Sequence, residues 1–553
     1  MTFYDWFLRA AGHSHRRARV LAEASRDVDR RAMDESLAAD TAAFERSMVD
    51  VSTKHNVVLG TTQRGVPYRI PVEDLVSLPS WVTAGTGSGK TRFCGAFLQQ
   101  LIARIAAGEP LSLVEVDGKG EGGAMTLRSV AEQAQRLRGA HRERFLSRVR
   151  VLRFFDEHFL PAWNILAPMP GVLAPAQADA VADVLSEVVA DATVGPRQRS
   201  TLAAALALAI EFSIPLPALP WLLSAPPQVA ALAAQSRFPS VRLDLTRFER
   251  EPQGSIDGLL ARLATILRIP SLKAVFSAEA PLSFTESFEP GTITIIDFGG
   301  APFGALSAVR AVGSLAIAGL ANAAFDPRRV VRSRTLLCVD EPQTFATTVA
   351  LGHFERLVTL GRSYGAGGLM LVHQGPTQLA SDFLSILQTN VTLRVIGRSS
   401  EADASAASEW LPITRVVPRP RSPGARRGSD GRFLSEGEER RFRVAEIGRL
   451  PARHFLVADR RAGAQPRVVQ APSYEPPEWQ ELDRAVVERV QRGAIGVPRA
   501  ELEARVVDIE EQASRAFAEA VAAGPAPGRR RARTPKTPDV VDESRVAAAG
   551  EVP

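Results

Sequence analysis

Eight consecutive residues, Ala84-Gly85-Thr86-Gly87-Ser88-Gly89-Lys90-Thr91, have the types and spacing of a phosphate-binding loop. Glycines let successive backbone N–H groups turn inward without a Cβ in the way, which makes a cradle for oxygen anions. A helix starting at the loop adds the positive end of its dipole, Lys90 a charge for β- and γ-phosphates, and Thr91 a hydroxyl for Mg²⁺. The loop opens with Ala84 where the strict pattern has glycine, and alanine is the smallest replacement. Some 250 residues later an apolar run ends in Asp340-Glu341. Such a pair suits Mg²⁺ orientation by Asp340 through water and polarisation of an attacking water by Glu341. A third apolar run, 369–372, ends at His373-Gln374, where the Gln374 amide could sense a γ-phosphate by hydrogen bonding. The chemistry these residues suit is binding and hydrolysis of a nucleoside triphosphate with Mg²⁺.

Those residues need strands that end together and helices that start there. Residues 78–83 read as a strand leading into the loop, and 92–107 as the helix after it. Strand-like runs follow at 111–117, 149–155, 291–298, 334–341, 369–372, 391–396 (carrying Arg394) and 454–458, with helical stretches such as 306–325 and 353–360 between them. Strands alternating with helices predict an α/β fold with a mostly parallel sheet covered on both faces. A short hairpin, with strands at 57–60 and 67–71, should precede it. The Ala/Leu-rich stretch 172–282, broken by joints such as 215–220, reads as an all-α insertion. The expected organisation is an N-terminal helical segment (1–52), a nucleotide-binding core (53–171 and 283–474) interrupted by that insertion, a charged helical segment (475–524) and a disordered basic tail (525–553).

A chain of 553 residues is too long for one compact core. The net charge of +6 is compatible with nucleic acid without demanding it. The two cysteines, Cys94 and Cys338, lie far apart without metal-ligand spacing, which argues against a disulfide framework and for a reducing compartment. No stretch reaches the 18 or so uninterrupted apolar residues of a membrane span, and Asp5 and Arg9 interrupt the start where a signal peptide would be apolar, so a cytoplasmic location is expected. Residues 3–8, aromatic and followed by a basic run, would suit either peripheral contact with an anionic membrane or docking on protein. The arginine-rich stretch 415–432 reads equally as a phosphate-tracking loop or a solvated linker.

Taken together, these stretches resemble the HerA/FtsK superfamily of ring-forming motors, and most nearly its TraG/TraD-type coupling ATPases of conjugation and type IV secretion. The resemblance runs over about 55–470. It rests on the loop 83–91, Val116-Asp117-Gly118-Lys119-Gly120-Glu121, Trp163-Asn164-Ile165-Leu166, Leu337-Cys338-Val339-Asp340-Glu341, Gly361-Arg362-Ser363, His373-Gln374-Gly375-Pro376-Thr377-Gln378-Leu379 and the closing stretch 444–451. It implies a RecA-like core, hydrolysis of ATP at subunit boundaries of a hexameric ring, and DNA as the cargo, with secretion-system or relaxosome proteins as partners. It also implies that Arg362 is an arginine finger reaching a neighbouring subunit's γ-phosphate, with Arg394 as runner-up. Two departures are visible: Gly118 stands where the family usually has proline, and the transmembrane helices that commonly open coupling proteins are not found. The expected function is an ATP-dependent DNA translocase. A soluble HerA-like DNA-processing or defence motor, and a secretion ATPase moving protein, are the alternatives.

Overall fold

The computed structural model describes residues 55–522 except 170, 189–195, 246–247, 249–252, 330–333, 414–434 and 460–465. The expected segment 1–52, the basic stretch 415–432 and the tail 525–553 therefore lie outside the described residues.

Thirteen strands are described: β1 (Asn56–Thr62), β2 (Pro67–Pro71), β3 (Ser80–Thr83), β4 (Leu111–Asp117), β5 (Val149–Arg153), β6 (Phe159–Pro161), β7 (Ile293–Asp297), β8 (Arg334–Asp340), β9 (Gly368–His373), β10 (Leu393–Gly397), β11 (His454–Asp459), β12 (Arg467–Gln470) and β13 (Gly496–Pro498). Eleven form one sheet in the order β2-β1-β12-β11-β10-β3-β9-β8-β4-β7-β5. From β10 to β5 every pairing is parallel. From β10 outward to β2 the sheet is antiparallel. The parallel half explains why its strands read as apolar runs rather than alternations: every residue of β4, β7 and β9 is buried, because helices cover both faces. Within that half the order β10-β3-β9-β8-β4 is the RecA-like arrangement, in which β9 separates the loop-bearing β3 from the acid-ended β8.

Register lines up the carboxyl ends of these strands. Thr83 lies opposite His373, Asp340 opposite both Val372 and Asp117, and Asp117 opposite Asp297. The polar side chains at the strand tips thus share one edge of the sheet, where open α/β folds place ligands.

Between β6 and β7 the described residues are helical, from Ala174–Val188 to Pro270–Val275. Helix Pro196–Glu211 is buried on all sides from Leu202 to Ile210, as an all-apolar helix must be. Its side chains share one continuous apolar cluster with the sheet residues Val114, Val116 and Ile296. Helix Leu306–Ala324 is, among the described residues, the single helix long and apolar enough to cross a bilayer, and it is 72% buried inside the chain.

The C-terminal stretch 475–524, expected to be helical, also contains a short strand. After helix Arg484–Arg492 the chain forms β13, which pairs antiparallel with β6, and only then helix Arg499–Ala522. That last helix packs on the helices between β6 and β7 through Lys273 with Glu510 and Trp221 with Phe517. A three-residue strand carries no periodicity of its own, so its sequence gave no sign of it.

Candidate active site

The phosphate-binding loop is assembled by non-local contacts as well as by its glycines. Gly87 and Gly89 adopt φ of +75° and +91°, a region costly for any residue with a Cβ. The Gly85 N–H donates to the Arg398 carbonyl at 2.7 Å, and the Arg453 N–H to the Ser88 carbonyl at 2.7 Å. Ser88 is turned inward, its hydroxyl donating to the Gly85 carbonyl at 2.6 Å, so its side chain shapes the loop rather than facing the cleft. Gly89 caps helix Lys90–Ala106 without a side chain, and no acid sits in the first turn, so the first N–H groups keep their positive field.

Around the loop lies a cleft of about 440 Å³ lined by Ala84, Gly85, Thr86, Gly87, Gly89, Lys90 and Thr91, and by Asp340, Glu341 and Gln374 from the neighbouring strand ends. Sequence separation of 250 residues is thus closed by the sheet. Arg92, Lys119, Glu121, Ala452 and Arg453 complete the lining. Of these, Lys119 stood in the resemblance without an assigned role, and Arg453 had no local signal. Arg453 adopts φ of +66°, and its side chain packs so closely that a Cβ on Gly89 would come within 2.8 Å of its Cγ.

Glu341 is the centre of the cluster. It is 2% exposed and holds φ of +54°, a left-handed conformation that costs a non-glycine residue on the order of 1 kcal/mol. Its N–H donates to the Val372 carbonyl at 2.7 Å, and its carbonyl accepts from Thr344 N–H at 2.8 Å, which fixes the turn. Its Oε1 accepts from Lys90 Nζ at 2.9 Å, Lys119 Nζ at 2.7 Å and Gln374 Nε2 at 3.1 Å, while Oε2 accepts from Gln343 Nε2. Burial alone would raise this carboxyl, but the Lys119 bond, the Lys90 charge and bond and the Gln374 bond outweigh it and bring it down to about 2.

Asp340 behaves oppositely. Burial pushes it up to about 6, although Lys90 Nζ stands 3.7 Å from its Oδ1. That oxygen is buried without a hydrogen-bond partner, an orphaned hard donor at the edge of the cleft. Together with the Thr91 hydroxyl it fits a hard divalent cation such as Mg²⁺.

The remaining strand ends hold the frame. Asp117 accepts from Lys119 N–H and Gly123 N–H, both at 2.8 Å, and fixes the turn after β4. His373 is buried between Trp81, whose indole N–H donates to Nε2, and the Gly375 carbonyl, which receives the Nδ1 proton at 2.9 Å. Burial lowers His373 to about 4, so it stays neutral and structural at physiological pH.

Two arginines lie elsewhere. Arg362 sits exposed in the turn Gly361–Tyr364, which precedes β9, whereas Gln374 follows it. A six-residue strand separates them, roughly 20 Å at 3.3 Å per residue. Among the described residues the Arg362 side chain makes no hydrogen bond or ion pair, and its carbonyl accepts from Gly365 N–H at 3.2 Å. Arg394, the runner-up, is buried and donates to the Trp410 and Gln388 carbonyls, so its guanidinium is spent inside the chain.

No family model matches the chain, and no curated protein does. Among solved structures it is similar to the bacterial conjugative coupling protein TrwBdeltaN70 (15% identity, 79% of this chain and 93% of that chain, TM-score 0.47). It is also similar to plasmid coupling protein TrwB in complex with ADP and Mg²⁺ (16% identity, 79% and 93%, TM-score 0.48). VirB4 of Thermoanaerobacter pseudethanolicus is a third (14% identity, 77% and 98%, TM-score 0.48).

Proposed function

We propose that this protein is an ATP hydrolase working as a ring-forming motor that moves DNA. The observation that carries the hydrolase reading is the convergence of Lys90, Asp340, Glu341 and Gln374 on one cleft beside the glycine loop. Loop N–H groups and the helix start receive phosphate oxygens, and Lys90 leaves Glu341 to neutralise the β- and γ-phosphates. Glu341, low in pKa and therefore ionised, orients the attacking water, and Gln374 holds the γ-phosphate end of the cleft. Thr91 and Asp340 would hold Mg²⁺, which when bound offsets negative charge on the phosphates.

The ring and cargo assignments draw on the motif resemblance and on two features of this chain. Arg362 is exposed and about a strand's length from its own cleft, as a finger for a neighbouring subunit's site would be. The net charge of +6 is compatible with a polyanionic cargo gripped by its phosphates. In this reading the assembly is a homo-hexamer with secretion-system or relaxosome partners, located in the cytoplasm and touching the membrane through the N-terminal segment.

Phosphate release by the purified protein with Mg²⁺-ATP, with and without single- and double-stranded DNA, tests the proposal. DNA should raise turnover several-fold. Turnover unchanged by saturating DNA in the assembled oligomer would reject the DNA cargo and leave a protein-moving secretion ATPase. Absence of any turnover would reject the hydrolase itself.

A further inference from the structure

Oε1 of Glu341 in this arrangement has no free capacity for water. An ionised carboxylate offers about four lone-pair positions. Three donors, from Lys90, Lys119 and Gln374, crowd the two on Oε1, while Gln343 takes one on Oε2. Lys90 has another destination in the bound phosphates. Gln374 follows directly on β9, and Gln343 belongs to the turn that Glu341 itself caps.

Lys119 is different in kind. Its side chain is 49% exposed, although the carboxylate it grips is 2% exposed. Its backbone is pinned: its N–H is bonded to Asp117 Oδ1, and Gly120, at φ of +90°, touches the chain leaving β7. A Cβ on Gly120 would come within 2.5 Å of the Gly299 Cα, and one on Gly299 within 2.8 Å of the Gly120 Cα. The two glycines make a backbone-to-backbone contact next to the lysine. Anything that shifts the loop opened by Gly299 must shift the residue bonded to Glu341.

We propose that Lys119 is a positioning residue that restrains Glu341, and that the Gly120–Gly299 contact sets the restraint. The inference rests on the reading of Glu341 as the group that orients water. While the ammonium is attached, the carboxylate is neutralised and partly filled, a poor acceptor for a water proton even after Lys90 has moved to the phosphates. When the contact shifts and the ammonium leaves for solvent, Oε1 keeps only Gln374 and gains room for water. Turnover is thereby tied to the position of a loop outside the cleft.

Four variants of the full chain decide it: K119A, K119R, G299A and E341Q. Without DNA, K119A should turn over ATP at least about threefold faster than wild type at saturating substrate, since the brake on a general base is gone. K119R keeps a cation and should raise the rate by less than K119A does. G299A wedges the contact and should raise basal turnover as K119A does. Binding of a fluorescent, non-hydrolysable ATP analogue should stay within about threefold of wild type in K119A, because a half-exposed charge is largely screened. Independently of activity, K119A should shift the thermal midpoint of nucleotide-free wild type and leave that of E341Q unmoved, the signature of a direct pair. A K119A rate equal to or below wild type, analogue binding weakened tenfold, or equal midpoint shifts in both backgrounds would overturn the restraint. Wild-type turnover in E341Q would instead reject Glu341 as the base, and the midpoint comparison still reports on the pair.

Discussion

Replacing Glu115 by glutamine should make the protein more stable, by an amount that grows with pH. Glu115 lies in the middle of β4, opposite Cys338 on one side and Ile295 on the other, and is 4% exposed. Its Oε2 has no hydrogen-bond partner, and no cation is paired with it among the described residues. Burial, with the charges of Asp117, Asp340 and Asp297 adding to it, raises its pKa from 4.5 to about 8. The folded state therefore keeps the proton over a range in which the unfolded chain has lost it. Stability from this group is full below pH 4.5, falls as pH rises towards 8, and is level above, where both states are ionised. Each pH unit in that window is worth about 1.4 kcal/mol, so at pH 7.5 the wild type carries a deficit of about 4 kcal/mol that an uncharged amide of the same shape does not. In a protein this size that corresponds to a thermal-midpoint gap widening by roughly 1 °C per pH unit. Midpoints of wild type and E115Q, measured from pH 5 to 9 at fixed ionic strength, check it. A gap that does not change with pH would refute the neutral, buried Glu115. The proton also matters for function, because it removes a negative charge beside the Asp340 proposed to hold Mg²⁺.

Two further outcomes are expected at the site itself. Lys90→Ala should abolish turnover and weaken ATP-analogue binding by about a hundredfold or more, with the fold retained because Lys119 and Gln374 still bond Glu341; analogue titration and circular dichroism measure the two parts. Arg362→Ala should bind the analogue like wild type yet hydrolyse about a thousandfold more slowly, and mixing it with Lys90→Ala subunits should restore part of the rate, since each lacks a different half of a shared site. Normal hydrolysis by Arg362→Ala would move the finger to another residue.

The glycine loop and the helix after it were legible from eight residues because their chemistry is local: positive φ at Gly87 and Gly89 and the donors of one helix start need no distant partner. The parallel strands were legible for a similar reason. Burial on both faces forces near-continuous apolar runs, and the acid at the end of β8 marks where the run meets solvent. What tertiary structure alone decided is pairing. No periodicity says that β9 lies between β3 and β8, yet that order is what brings Gln374 to Glu341. Lys119 and Arg453 enter the cleft through register and through a backbone bond to Ser88, contacts across 222 residues and across most of the chain. Charge state followed the same divide: Asp340, Glu341 and Glu115 are all acids in the sequence, and only burial and their neighbours separate about 6, about 2 and about 8. Residue types wrote the chemistry that was available, and the sheet chose which of them meet.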